Sequence, residues 1–245
     1  MKSRLPLPSW ALSVSAGLLF GGSVLSLVSP AIAQSNIQLR LPDISAPGNR
    51  ESGSTRSTTC IAPDERLVAL VPESNYGLTE SGYPTVYFYL PETTAEHLKF
   101  VVLNESSNEL IYEGRFKIDR SAGIASVSLP ENGIQQPLAV GEAYVWYISV
   151  ICDPADPSAD VVAEGQIARV EPLATVTNAT AAERPALYAE AGLWYDAIAA
   201  SAQLKQDTES PDDWNALLDA VELDDLIPAD LLSLSVLPEA APMAL

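Results

Sequence analysis

The chain has 245 residues, of which 32 are acidic, 13 are basic and one is His, for a formal net charge of -19. This length is sufficient for one large domain or two small ones with a hydrophobic core. The acidic excess argues against a protein that binds nucleic acid or anionic lipid headgroups, because such binding begins with cationic side chains that replace counterions.

The N-terminal segment has the features of a secretory signal peptide. Two basic residues precede an uncharged run over residues 10–28, and the small residues Ala31 and Ala33 follow it. The alternative is a transmembrane anchor, since a run of this length nearly spans a bilayer. Its serines and glycines make it only mildly apolar, which favours a signal peptide over residues 1–33 that is cleaved after Ala33. We therefore expect an exported protein, periplasmic or extracellular, with no stable membrane insertion after cleavage.

A linker and then a β domain follow. Residues 34–59 are rich in Ser, Pro, Gly, Thr and Asn, which predicts a flexible linker. From residue 60, short runs of β-branched and aromatic residues alternate with turn residues. The seven runs are "RLVALVP", "TVYFYLP", "LKFVVLN", "ELIYEGRFKI", "IASVSLP", "AYVWYISVIC" and "VVAEGQIARV". This spacing predicts an immunoglobulin-like antiparallel β-sandwich over residues 60–176.

Alternation along the second run, "TVYFYLP", separates aliphatic from aromatic side chains. Val86, Phe88 and Leu90 share one face, while Tyr87 and Tyr89 share the other. The aliphatic face is predicted to point into the core. The two tyrosines then either lie beneath another element or form an exposed interaction surface.

Two further features of the predicted strands concern a hairpin and the two faces of one strand. The polar cluster "NESSNE" predicts a hairpin over residues 98–118. In "AYVWYISVIC", alternation places Trp146 on the same face as Cys152, as in a sandwich core beside a disulfide. The opposite face carries Val145, Tyr147 and Ile151, which are also apolar and therefore require a covering element.

In the C-terminal region, apolar residues recur with the period of an α-helix. Residues 185–204 carry an apolar stripe that includes Trp194, and "SPDDW" predicts a second helix with Ser210 as its N-cap and Trp214 on its apolar face. We expect residues 177–225 to form a helical hairpin packed on the apolar outer face described above. The alternative is an independent element whose Trp194 and Trp214 anchor a partner. Residues 226–245 are expected to be a poorly ordered acidic and apolar tail.

Cys60 and Cys152 are the two cysteines of the chain. In an exported protein an isolated pair is most simply a disulfide. The alternatives are two separate buried thiols, or a metal site, which would need more ligands than one His supplies.

Several separated motifs resemble a known family. The stretch "CIAPDERLVALVPESNYGLTESGYPTVYFYLP", the strand "YVWYISVIC" and the later "AEAGLWYDAIAASAQL" together resemble the cyanobacterial domain family of unknown function called DUF928. The resemblance covers about residues 58–225. It implies a secreted protein with no established activity, and it provides no catalytic residues to transfer.

Few residues are candidates for a catalytic or metal-binding site. The single His97 lies in "PETTAEHLK", which is predicted to be a polar turn and has no nucleophile motif, and this favours a surface residue over a catalytic one. Asp153, Asp156 and Asp160 share one loop and are candidates for a calcium site, with a solvated acidic loop as the simpler interpretation. We expect no cofactor.

These features predict a non-enzymatic, exported protein-interaction or adaptor module of the cell envelope. Its partner would be an unidentified envelope or secreted protein, and the acidic C-terminal region would favour a basic one. The alternative is a module that binds a small ligand, a glycan or calcium. The interaction candidates are Tyr87, Tyr89, Trp194 and Trp214.

Overall fold

The computed structural model describes residues 37–52, 60–118, 121–208 and 211–237. The predicted signal peptide lies outside them. Within these ranges the strands are β1 (Val68–Ala69), β2 (Tyr76–Thr79), β3 (Thr85–Leu90), β4 (His97–Asn104), β5 (Leu110–Lys117), β6 (Gly123–Ser128), β7 (Ala143–Val150), β8 (Val161–Arg169) and β9 (Ser235–Val236). The helices are α1 (Ala174–Thr177), α2 (Arg184–Glu190), α3 (Trp194–Thr208) and α4 (Asp212–Ala220), with single 3-10 turns at Pro157–Ala159 and Asp224–Leu226.

The strands form two sheets. One has the order β1-β3-β6, and the other has the order β2-β8-β7-β4-β5-β9. Apolar side chains from both sheets join one hydrophobic core with those of the helices. The predicted fold class, mainly β with C-terminal α-helices packed on the strands, is confirmed. The sandwich departs from a purely antiparallel one at its edge, where β2 pairs in parallel with β8.

All seven predicted strands are present, and the predicted hairpin is the β4–β5 pair. Its turn is closed by the amide of Asn104, which donates to the carbonyl of Glu109 at 2.9 Å, and Asn108 adopts a left-handed conformation with φ of 55°. The two strands that the sequence did not predict are β2 and β9. Both are short, and "NYGLTESG" around β2 has the composition of a loop.

Alternation along β7 is also as predicted. Trp146 and its neighbours on the same face are buried, while Val145 and Tyr147 on the other face are partly buried. The indole of Trp146 lies against the backbone of β8 at Gly165, where an added Cβ would be 2.6 Å from the ring. Glycine at this position therefore allows Trp146, one of three fully buried tryptophans among the described residues, to pack directly on the sheet.

The single helix predicted over residues 185–204 is instead two helices, α2 and α3. The break is at Gly192, which has φ of +78° and approaches the carbonyl of Arg40 so closely that an added Cβ would be 2.6 Å from it. The predicted N-cap Ser210 lies outside the described residues, and α4 follows Pro211 as its N-cap. Among the described helices, none combines the length and the apolar character that a membrane crossing requires.

The helices pack on β2 and β3 rather than on the face of Val145, Tyr147 and Ile151, so that predicted docking surface is wrong. A Cβ on Gly77 of β2 would be 2.8 Å from the ring of Tyr195, which shows how closely α3 approaches this strand. On β3, the ring of Tyr87 meets that of Trp214 edge-on, with centroids 5.7 Å apart. The helices follow the edge strand β2 because its glycine leaves room for an aromatic side chain.

Residues 37–52 form an arm fixed to the domain, rather than the flexible linker expected from their composition. The amide of Arg40 donates to the carbonyl of Ala189 in α2, and Glu51 forms a bridge with Val68 in β1. Arg50 donates through Nη1 to the carbonyl of Val221 at 2.7 Å, at the C-terminal end of α4. Ordered backbone partners, together with a cation at a helix C-terminus, hold a segment whose composition alone favours disorder. The other residues of the predicted linker are outside the described ranges.

The C-terminal segment 230–237, which we call the strap, is likewise structured up to Leu237, in contrast to the disordered tail that was expected. Its first part bonds to β6: the amide of Ile124 donates to the carbonyl of Asp230 and the amide of Leu232 donates to the carbonyl of Ile124, each at 2.7 Å. Its last part is β9, which pairs with Phe116 and Lys117 of β5. The strap thus contacts β6, an edge strand of one sheet, and covers β5, which would otherwise be the edge of the other sheet.

Removal of residues 230–245 is expected to lower the free energy of unfolding by on the order of 3 kcal/mol, because backbone hydrogen bonds and the burial of leucine side chains are lost together. The exposed edges of β5 and β6 should also promote self-association. Thermal unfolding and light scattering after size-exclusion chromatography measure the two effects. A chain that lacks only residues 238–245 is the control, since it keeps every described contact of the strap. Equal stability of the two truncated proteins would contradict the stabilising role of the strap.

Candidate functional site

A groove with a volume of about 370 Å³ lies between β3, the segment that precedes β1 and the 3-10 turn that follows α4. We call it the Tyr89 groove. Its lining residues are Asp64, Glu65, Arg66, Val68, Tyr89, Asp225, Leu226, Pro228 and Ala229. Segments distant in sequence therefore contribute acids to one concave surface around an aromatic ring.

The electrostatics of the Tyr89 groove are those of an acceptor for positive charge. Burial raises the pKa of the Tyr89 hydroxyl, and the nearby carboxylates of Glu65 and Asp225 raise this pKa further. The basic residue of the lining, Arg66, is paired with Glu51 at 2.8 Å. An aromatic face bordered by carboxylates attracts a cationic group through both charge and the ring quadrupole.

The four predicted interaction residues have different environments. Tyr89 lines the groove, whereas Tyr87 is covered by Trp214, and burial raises the pKa of Tyr87 to about 12. Trp194 and Trp214 are fully buried. Rather than anchors for a partner, the two tryptophans are part of the core that attaches the helices to the strands. Of the four, Tyr89 is the residue that lines the groove.

A second feature, which sequence reasoning missed, is a carboxylate at the contact between β2 and α3. Asp196 Oδ1 accepts a hydrogen bond from the hydroxyl of Thr79 at 3.1 Å, and Oδ2 accepts one from the amide of Glu80 at 3.0 Å. We call these three residues the Asp196 joint. Burial raises the pKa of Asp196 to about 6, although its two hydrogen bonds act in the opposite direction. The available signal was an acid within the stretch "LWYDAI", whose other side chains are apolar and buried.

Glu80 extends the joint to α2 and to the chain that follows β8. Its carboxylate accepts hydrogen bonds from the hydroxyl of Tyr188 at 3.1 Å and from the amide of Leu173 at 2.8 Å. Burial, followed by the bond to Glu80 and its charge, raises the pKa of Tyr188 to about 12. Asp196 and Tyr188 also line a pocket of about 220 Å³ that opens beside the joint. Polar contacts thus connect α2 and α3 to the same end of β2.

Residues 51–231 match the family described as Domain of Unknown Function (DUF928). The chain belongs to the DUF928 family. None of the curated proteins matches the sequence. The DUF928 match begins at Glu51, which bridges to Val68, and ends at Leu231, which bridges to Ile124. The family domain therefore includes part of the N-terminal arm, strands β1 to β8, the helices and the beginning of the strap.

The DUF928 domain contains the predicted disulfide. Cys60 and Cys152 are bonded, with their Cα atoms 5.3 Å apart, so the interpretation as a disulfide is confirmed. The bridge ties the segment before β1, in one sheet, to the end of β7, in the other. It therefore constrains the two layers of the sandwich directly.

In the loop that contains Asp153, Asp156 and Asp160, which we call the aspartate loop, two carboxylates accept hydrogen bonds from backbone amides of the loop itself. Asp153 accepts from the amide of Ala155 at 2.9 Å, and Asp156 accepts from the amide of Ser158 at 3.0 Å. Burial raises the pKa of Asp160, one of whose oxygens is enclosed without a hydrogen-bond partner. Over the described ranges, no group of three His, Cys, Asp or Glu side chains is arranged to hold a metal ion. The geometry thus adds no support to the calcium alternative.

His97 lies in a strand rather than in the polar turn that was expected. It is the first residue of β4, where it pairs with Lys117 of β5, and its carbonyl accepts from the amide of Ile151. The side chain is partly buried. The stretch "PETTAE" precedes the strand. Antiparallel pairing with β5 begins at the histidine itself, and pairing with β7 begins at the next residue, Leu98.

Proposed function

We propose that this DUF928 protein is an exported, non-enzymatic interaction module of the cell envelope, which binds a basic segment of another envelope or secreted protein in the Tyr89 groove. The observation that carries the proposal is the groove itself, where Glu65 and Asp225 flank an accessible aromatic ring. A lysine or arginine side chain fits this chemistry, because its stem packs on the ring and its charge meets the carboxylates.

The charge of the whole chain supports a cationic partner. A net charge of -19 attracts a basic protein over distances of about a Debye length, roughly 8 to 10 Å at physiological salt. Such attraction raises the rate of association, while the groove provides the position at which the partner is held. The complex is therefore expected to weaken as salt is raised.

Export and the absence of an enzymatic role rest on separate arguments. The features of residues 1–33 and the disulfide are both typical of proteins that reach an oxidising compartment. The acid with the most perturbed pKa among the described carboxylates, Asp196, has both oxygens engaged in contacts that hold α3 on β2. We interpret this perturbation as the result of packing rather than as preparation for catalysis.

Neutralising the groove tests the proposal. The protein with Glu65→Gln and Asp225→Asn is expected to bind a fluorescent pentalysine peptide about two- to thirtyfold more weakly, because each exposed charge pair contributes about 0.2 to 1 kcal/mol. Fluorescence anisotropy at low and moderate salt measures the affinity. The unmodified chain and this double variant can also be used as bait on an envelope fraction. Mass spectrometry should then identify one or more basic proteins that the unmodified chain captures and the variant does not.

A matched control separates the groove from net charge. Glu109→Gln with Glu131→Gln removes the same number of charges from exposed positions outside the groove lining, and this protein should bind like the unmodified chain. Equal losses in both double variants would mean that binding follows total charge, which would contradict a defined site. A failure of the unmodified chain to bind the peptide or to retain any protein would also overturn the proposal.

A further inference from the structure

The Asp196 joint places a carboxylate where its charge is poorly stabilised. Both donors to its oxygens are neutral groups, the hydroxyl of Thr79 and the amide of Glu80. The second carboxylate of the region, that of Glu80, adds a negative charge nearby. A half-buried acid with a like charge beside it is held more easily in its protonated form.

We propose that the Asp196 joint is a proton-dependent latch: the protonated carboxyl holds α2 and α3 firmly against the end of β2, and loss of the proton loosens this contact. The latch requires two things of the geometry, and both are present. Its hydrogen bonds join the last residue of β2, and the residue after it, to a helix more than a hundred residues away in sequence, and Asp196 lines an open pocket. Proton exchange therefore does not require the domain to unfold.

The charged and titratable groups around the joint are compatible with this behaviour, and Tyr83 and Tyr195 line the pocket beside it. On α2, Tyr188 donates to Glu80, and Arg184 lines the same pocket at the start of the helix. On β8, Arg169 donates to the carbonyls of Glu80 and Leu138. The cation of Arg169 thus contacts backbone oxygens, and neither arginine is among the groups that shift the pKa of Asp196. The carboxylate of Asp196 has no ion pair among the described contacts.

The direction of the pH effect follows from the raised pKa. Asp196 binds a proton more tightly in the closed joint, where its pKa is about 6, than in an opened one, where the ordinary value of 3.8 applies. The stabilisation from protonation is complete below the ordinary value and is lost as pH rises through the range between the two. Between pH 5 and pH 8 this difference corresponds to about a tenfold rise in the opening constant of the joint.

Hydrogen exchange on the full chain tests the latch. After correction for intrinsic exchange rates, amides of α2 and the first turns of α3 should open about tenfold more often at pH 8 than at pH 5. Most acids with ordinary pKa values remain charged throughout this range, so their contribution is small. Asp196→Asn should remove the difference, because an amide keeps an acceptor for Glu80 and a donor for Thr79 without a titrating group. Asp219→Asn, at an exposed position on α4, is the control and should keep the difference.

A second variant keeps the test decisive if Asp196→Asn does not fold. Thr79→Val preserves the shape of a buried side chain but removes one hydrogen bond to the carboxylate, so the pH midpoint of opening should move upward. Exchange that is independent of pH in the unmodified protein would overturn the proposal. So would an unchanged pH dependence in Asp196→Asn, or an unchanged midpoint in Thr79→Val.

Discussion

Replacement of Trp194 with Ala is expected to lower the free energy of unfolding by about 3 to 5 kcal/mol, the range typical of a large aromatic residue deleted from a core. The side chain is fully buried, and its Nε1 donates to the carbonyl of Leu70 at 2.9 Å. The substitution therefore leaves a large cavity between the helices and the strands, together with a carbonyl that has lost its donor. Chemical denaturation at fixed pH measures the loss.

Two further variants separate volume from hydrogen bonding. Trp194→Phe retains much of the ring but lacks the N–H group, so its cost should be smaller and should reflect chiefly the carbonyl of Leu70. Gln206→Ala, at an exposed position on the same helix, should change stability by less than about 0.5 kcal/mol. A cost for Trp194→Ala as small as that of Gln206→Ala would show that the helices are not an integral part of the folded domain.

Loss of the disulfide is expected to have an effect of similar size. The protein with Cys60→Ala and Cys152→Ala should be less stable by about 4 to 5 kcal/mol in the chain-entropy model, because the bridge closes a loop with a sequence separation of 92 residues. The paired alanines avoid a free thiol that could form other disulfides. Thermal unfolding in the absence of reductant measures the effect.

Reductant provides the control for this comparison. Dithiothreitol should destabilise the unmodified protein toward the value of the double alanine variant and should leave that variant unchanged. Mass spectrometry after alkylation without reduction should find both cysteines of the unmodified protein protected. Labelling of both thiols would contradict the bridge, and a stable protein after complete reduction would contradict its energetic role.

The strands could be predicted because their determinants are local. Alternation of apolar and polar residues reports which face of a strand is buried, and this pattern located β3 and β7 and their inward residues correctly. The disulfide could be inferred because two cysteines allow one pairing. By contrast, β2 and β9 have two to four residues each, and runs of that length carry little periodic signal. Their pairing depends on neighbours that are distant in sequence.

The position of the helices could not be read from their own pattern. An apolar stripe indicates that one side of a helix is buried, but it does not indicate which surface covers that side. Two apolar surfaces were available, one on β7 and one on β2 and β3. The face of Val145 and Tyr147 was the more obvious one. The choice of β2 and β3 depends on Gly77, where the lack of a side chain admits Tyr195, and on Tyr87, which meets Trp214. Both are contacts between segments more than a hundred residues apart.

The mainly β fold class, the helical C-terminal region, the disulfide and the strong acidity of this DUF928 protein can all be inferred from its amino-acid sequence. Each of these depends on composition or on periodicity within one segment. The fixed arm, the strap, the Tyr89 groove and the Asp196 joint could be found only from the folded chain. These depend on pairs such as Arg50 with Val221 and Thr79 with Asp196, which are 171 and 117 residues apart. The physical reason is that the burial which holds a side chain, or raises a pKa, is produced by the other segments that surround it.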